Sequence, residues 1–232
     1  MKNSTLQRHL RYSVSIAMFA AIAYVCVFVF RFKVSFLTLD VKDSVMAVGA
    51  LALGPVAGIL IASVVALLEF ITVSDTGVYG LIMNFLSSAS FTFAASILYR
   101  FRRRLSSAVI GLAAAVCFTT SVMMLANLFI TPFYMGAKQS DVIAMIPTLL
   151  LPFNLTKSVL NAAVVLLLYK PLTRALIRAR LMPREDKTPT PRQESTVRVR
   201  RSLILSAIAV ALIVGCVIVL LVSLKGSFKL FA

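Results

Sequence analysis

The side chains that could do chemistry in this sequence are few, and they bind rather than react. Lys157 is the only charged residue between Val142 and Tyr169, and it stands one turn after Asn154 and close to Pro152. An ammonium inside an apolar helix is costly unless something pairs with it, which makes Lys157 a site candidate by default. Residues three apart share a helix face, so Asn154 and Lys157 present an amide and a cation to the same cavity. Asn127, toward the outer end of the preceding apolar run, offers a second amide. The structural alternative is a Lys157 that snorkels to an interface or rests on a neighbouring carbonyl. Asn84, just after Thr76-Gly77 and Gly80, is either a ligand contact or an interhelical hydrogen bond.

Catalysis has little to stand on. His9 is the only histidine, and no Ser-His-Asp set, HExxH or phosphate-binding loop is present. Cys26, Cys117 and Cys216 each lie alone in an apolar run, where they read as small hydrophobes with no disulfide or metal implied. No carboxylate is expected inside the membrane to couple transport to protons or sodium. With no nucleotide-binding motif either, energy for moving a solute uphill is expected from a partner or an ion.

The elements that position these residues must lie in a bilayer. The 232 residues are 60% hydrophobic and 14% charged, with a mean hydropathy of +0.96, beyond what the core of one water-soluble globule uses. The formal charge of +16 could point to nucleic acid, anionic lipid or topology. Its placement in short gaps between apolar runs (Lys2, Arg8 and Arg11; Arg100 with Arg102, Arg103 and Arg104; Lys170 with Arg174, Arg178 and Arg180) is the positive-inside pattern, which argues against a nucleic-acid partner.

Runs long enough to span occur at Tyr12 to Phe30, Tyr79 to Tyr99, Ser107 to Ile130, Val142 to Tyr169 and Leu203 to Leu224. The first is too long for a signal-peptide core and lacks a convincing cleavage site. Ser44 to Val73 is too long for one span and is interrupted by Gly54-Pro55. Two helices turning there put both later basic clusters inside; one helix would put Arg102 to Arg104 outside, so the split is expected. The first of the pair, Ser44 to Leu53, is too short to span alone and needs neighbours to lean on.

The expected fold is therefore an all-α integral membrane protein with six membrane helices and an additional C-terminal one. Its parts are a basic cytoplasmic leader (1–11), a six-helix substrate-binding domain (12–180), a basic flexible linker (181–202) and a seventh helix with a short tail (203–232). The N-terminus is expected inside and the C-terminus outside. Arg31 to Asp43, Glu69 to Val78 and Thr131 to Asp141 form the outer face, so Asn127, Asn154, Lys157, Leu39 and Asp40 all lie toward it. Ala17 and Ala21, extended by Ala20 and Ala23, form a small surface suited to close approach of another helix or to internal packing. Gly54 and Gly58 are expected to serve the turn.

Several pieces carry a family resemblance: Phe36-Leu37-Thr38-Leu39-Asp40, Leu53-Gly54-Pro55 with Gly58, Thr76-Gly77 with Gly80 and Asn84-Phe85, Thr131-Pro132 with Tyr134, and Pro152-Phe153-Asn154 with Lys157. In this order and spacing the sequence resembles the membrane-embedded substrate-binding subunits of energy-coupling factor (ECF) vitamin transporters over about residues 10 to 180, most closely the riboflavin-specific ones. The resemblance implies a subunit that is not an enzyme and has no cofactor, binds riboflavin from outside, and docks on a transmembrane coupling protein driven by two cytoplasmic ATPases. It implies docking through Ala17 and Ala21, a loop around Leu39 and Asp40 that covers the ligand, and a flavin ring held by Asn127, Asn154 and Lys157, with Asn84 and Tyr134 among the binding residues. Another vitamin or precursor, or a membrane scaffold or enzyme using Lys157 structurally, are the alternatives. The basic linker and seventh helix depart from the six-helix pattern.

Overall fold

The computed structural model describes residues 2–34, 37–73, 76–101, 105–178, 204, 206–216 and 218–219. The 181–202 linker, the Arg102-Arg103-Arg104 cluster, Asp75, Phe36 and most of the 203–232 segment lie outside the described residues.

The fold is an all-α membrane bundle. Helix α1 (Lys2–Val29) leads into a hairpin of β1 (Phe32–Val34) and β2 (Leu37–Leu39), paired antiparallel with Phe32 opposite Leu39. Then follow α2 (Lys42–Leu53), α3 (Pro55–Thr72), α4 (Gly77–Phe101), α5 (Leu105–Met135), the short α6 (Gln139–Met145), a π-helical turn at Ile146–Leu150 and α7 (Leu151–Arg178). A further apolar helix, α8, covers Ser206–Cys216. Among the described residues five helices are long and apolar enough to cross a bilayer. Their outward side chains, such as Val14, Ile22, Leu67, Ile71, Phe118 and Phe133, are exposed and apolar, a surface that belongs against lipid.

The chain breaks at Gly54-Pro55 for reasons legible in both residues. Gly54 has φ 107°, a conformation that L side chains rarely adopt, and its N–H donates to Ala50 O at 2.8 Å to close α2. Pro55 opens α3, where its missing N–H costs no helical hydrogen bond. Gly58 does something other than the expected turn work. A Cβ there would stand 2.6 Å from Ala50 Cβ and 3.1 Å from Thr92 Cβ, so glycine permits α3 to lie against α2 and α4.

Twelve residues of helix cannot cross about 30 Å of hydrocarbon, and α2 does not stand against lipid. It packs on α1, α3, α4 and α7, and apart from Val45 every residue from Lys42 to Ala52 is buried. The core around it joins Phe19, Met46, Ile61, Val65, Phe91, Leu112 and Val165. Alongside the apolar core runs a seam of small polar residues on α4, where Ser90 donates to Thr119 of α5 at 3.2 Å and Thr92 and Ser96 bond back to their own helix.

Two expected loops are more regular than their composition suggests. The connection after α1 contains the β-hairpin, which seats Leu39 against Phe153 of α7. The C-terminal end of α5 continues through Pro132 to Met135, beyond the expected end at Ile130. In membrane bundles the groups that a proline frees are satisfied by neighbours and side chains.

Candidate substrate-binding cavity

A cavity of about 210 Å³ opens among the hairpin, α3, α4, α5 and α7. Six of the seven substrate-binding residues expected from sequence line it: Asp40, Asn84, Asn127, Tyr134, Asn154 and Lys157. Leu39 does not. Its side chain is 3% exposed and is spent packing the hairpin onto Phe153, where an isobutyl group gains more than at a polar wall. Its contribution is to hold its neighbour Asp40 in place.

The polar wall has a definite donor and acceptor pattern. Asn127 is fully buried; its Nδ2 donates to Met123 O at 2.7 Å and its Oδ1 accepts from Thr131 Oγ1 at 2.9 Å. These bonds fix the plane of the amide. Asn154 Nδ2 donates to Leu150 O at 2.8 Å, at the junction of the π-helical turn with α7, which leaves Oδ1 as the side available to accept. π-helical turns frequently mark functional sites, and this one precedes the residues that face the cavity.

Lys157 is paired. Its Nζ donates to Asp40 Oδ2 at 3.0 Å and to Thr38 O at 3.4 Å. An ammonium has three N–H donors, so one remains for a ligand. Burial alone would favour the neutral acid at Asp40, yet the ammonium groups of Lys157 and Lys42 outweigh it and hold the carboxyl below its ordinary range. Asp40 Oδ1 is buried without a hydrogen-bond partner among the described residues.

Sequence reasoning missed the charges behind this pair. Lys42 Nζ donates to both Glu69 oxygens at 2.6 Å and lies 3.7 Å from Asp40 Oδ2. The expectation that no carboxylate lies within the membrane segments fails at Glu69, which is buried in α3 at 4% exposure. Asn161, also fully buried, donates to Asp40 O at 3.0 Å and accepts from the Ser44 N–H at 2.8 Å, splinting the hairpin and α2 to α7. Asp43 accepts from Ser88 Oγ at 2.6 Å. A signal was present: Lys42, Asp43 and Glu69 flank apolar runs, and intramembrane charges come in pairs.

Val27, Met83, Met123, Ile130 and Phe153 add apolar surface, while Arg31, Glu69, Thr76 and Ser87 add further polar groups to the lining. A cavity of mixed lining with several convergent polar side chains suits a flat ring that carries hydrogen-bonding groups. Asn84 lines the same cavity, and among the described residues its side chain makes no interhelical hydrogen bond.

The residues expected at a docking surface separate by helix face. Ala17 and Ala21 are exposed on α1, whereas Ala20 and Ala23 point into the core with Phe19 and do not extend the surface. A 3–4 spacing explains it: Phe19, Ala20, Ala23 and Val27 make the inward stripe, and Ala17 and Ala21 fall on the other side.

With this geometry in hand, likeness to known proteins is decisive at the level of family. Residues 11–169 match the model of the ECF transporter, substrate-specific component. The chain belongs to this family. It is 33% identical over 175 residues to the riboflavin transporter RibU of Staphylococcus aureus (strain TCH60), covering 71% of this chain and 92% of that protein. A solved structure described as the S component of a bacterial ECF transporter superposes with a TM-score of 0.62 at 32% identity, covering 72% of this chain and 98% of that one. As a substrate-specific component the chain is a multi-pass membrane subunit, and its family role is binding. The family match ends at residue 169, short of the basic linker and α8. Ala209 and Cys216 of α8 are buried, and the Cys216 thiol reaches Thr156 O at 3.8 Å, so the added helix lies against α7.

Proposed function

We propose that this protein captures riboflavin from the extracellular side and passes it inward together with an ECF energising module, a transmembrane coupling protein and two cytoplasmic ATPases. The observation that carries the reading is the convergence of Asn127, Asn154 and the Asp40–Lys157 pair in one cavity that also offers methionine, isoleucine and phenylalanine surface, in a chain one-third identical to a riboflavin transporter. An isoalloxazine is a flat, largely apolar body with carbonyls and an imide N–H along one edge. Asn154 Oδ1 can accept from the imide, while the remaining Lys157 proton and the Asn127 amide serve the carbonyls and ring nitrogens. The methionines, Ile130 and Phe153 receive the faces of the ring.

The sequence has no phosphate-binding loop of its own, so energy comes from partners. Ala17 and Ala21, small and exposed on α1, are the docking positions for the coupling protein, because a helix can approach closest where side chains are smallest. The N-terminus and the Arg102-Arg103-Arg104 cluster are cytoplasmic and the C-terminus extracellular, by the charge rule.

Purification after growth with the vitamin tests the ligand. A yellow preparation whose titration quenches flavin fluorescence, without competition from thiamine, biotin or folate, is expected. A colourless protein that leaves riboflavin emission unchanged would refute it. For orientation, a cytoplasm-dependent reporter fused after Arg104 should be active and one fused after Lys138 silent; the reverse pattern would invert the topology.

A further inference from the structure

Four buried charges alternate in sign through the bundle, with a fifth, Asp43 of α2, beside them: Glu69 on α3, Lys42 at the start of α2, Asp40 at the end of the hairpin and Lys157 on α7. The first contact is the tightest, with Lys42 Nζ at 2.6 Å from each Glu69 oxygen. The last sets Lys157 at 3.0 Å from Asp40 Oδ2, and all four residues line the cavity. Between them, Lys42 is only 3.7 Å from that same Oδ2. Two ammonium groups therefore stand within reach of one carboxylate oxygen, and only one of them lies in hydrogen-bonding contact.

We infer that Glu69 is a positioning residue for substrate binding: by holding Lys42 it keeps that ammonium off Asp40 and so leaves Asp40 to orient Lys157. The inference rests on the proposed binding role of Lys157. Asp40 has little freedom to settle the competition itself, because its backbone carbonyl is held by Asn161 and the Thr38 carbonyl before it accepts from Lys157. Two of the three Lys42 N–H donors go to Glu69 and the ammonium lies 3.7 Å from Asp40 Oδ2, so although it borders the cavity its charge is already shared between two carboxylates. Freed from Glu69, it swings to the nearest anion, Asp40 Oδ2. Lys157 then loses its anchor, and the single proton it directs into the cavity loses its direction. Glu69, itself in the cavity lining, thus sets the direction of Lys157 through Lys42 and Asp40.

The test is riboflavin titration of the purified full chain in detergent, read by flavin fluorescence, with thermal unfolding of each ligand-free variant alongside. Glu69→Gln releases Lys42 and is expected to weaken binding at least tenfold. The double variant K42M/E69M removes the competitor with its keeper and is expected to recover most of the affinity that E69Q loses. In a Lys157→Met background, Glu69→Gln is expected to change affinity less than twofold, since nothing is left to misdirect. A plain structural brace predicts the opposite on both counts, with K42M/E69M as weak as E69Q and the K157M and E69Q penalties additive; either result overturns the inference, as does an E69Q protein that binds like the parent. If E69Q does not fold, Glu69→Asp, which keeps the charge and shortens its reach, is read in its place against the same two comparisons, and failure of K42M/E69M to fold counts as the brace. A parent chain that does not bind riboflavin at all refutes the ligand reading instead, which separates the two failures.

Discussion

Replacing Lys157 with methionine probes both halves of the site at once. The side chain is 9% exposed and its ammonium is bonded to Asp40 and Thr38, so the small values typical of surface ion pairs do not apply. Methionine keeps most of the volume and removes the charge, leaving Asp40 Oδ2 with Lys42 at 3.7 Å and Oδ1 with nothing. Stranding a buried charge by removing its partner costs about 3–5 kcal/mol. Lys42 can close on Asp40 and recover part of this, so the ligand-free protein should lose about 1–3 kcal/mol. On the binding side a hydrogen bond from a charged donor is worth about 1.5–3 kcal/mol. At about 1.4 kcal/mol per factor of ten, riboflavin affinity should fall about 10- to 150-fold. The protein contains no tryptophan, so the flavin's own emission is the natural signal, with calorimetry as a check. The companion variant D40N/K157M removes both charges and separates the effects: it should regain stability, because no carboxylate is stranded, while its affinity stays low, because the donor is still missing. K157M binding within twofold of the parent would refute the assignment of Lys157 to the ligand, and recovery of affinity in the double variant would show that only charge balance had mattered.

Asn154→Ala should weaken riboflavin binding about fivefold to tenfold, the worth of one neutral hydrogen bond of about 1 kcal/mol or slightly more, measured by the same titration. Ala17→Trp and Ala21→Trp, on the exposed face of α1, should leave affinity unchanged while abolishing both vitamin uptake by cells and co-purification with the coupling protein. A chain ending at residue 180 should bind riboflavin as tightly as the full chain, since every cavity-lining residue precedes residue 158; a large loss would give α8 a part in binding through its contact with Thr156. Gly58→Val should lower the unfolding temperature sharply, because its Cβ would collide with Ala50 while that helix is clamped on all sides, and wild-type stability would contradict the close packing of α2 on α3.

What could be read from sequence followed from how local the cause was. The break at Gly54-Pro55 depends on two adjacent residues, one that accepts φ 107° and one that cannot donate, and both act the same way in any surroundings. Asn127, Asn154 and Lys157 stood out because polar groups are expensive in apolar helices whatever packs against them. The face that each alanine of α1 presents was not local. Ala17, Ala20, Ala21 and Ala23 look alike as small residues, and only the neighbours α2 and α3 decide that two go inward. The hairpin was hidden for a related reason: three-residue strands leave almost no periodic signal, and Leu39 is identifiable as core only once Phe153 is across from it.

The charged cluster in the cavity lining shows where the same rule could have reached further. Lys157 was recognised as a cation that needs a partner, yet Lys42, Asp43 and Glu69 were assigned to the outer face because they sit near the ends of apolar runs. Position along a helix measures distance from its end, not distance from water, and a short buried helix such as α2 carries its terminal charges into the bundle with it. The ten-residue stretch was already too short to span and so had to be surrounded by protein. A helix surrounded by protein cannot leave Lys42 and Asp43 in water, and an enclosed ammonium requires an enclosed carboxylate within a few ångströms. Glu69, the only acidic residue in the following helix, is what that requirement selects, and the 2.6 Å contacts with Lys42 meet it.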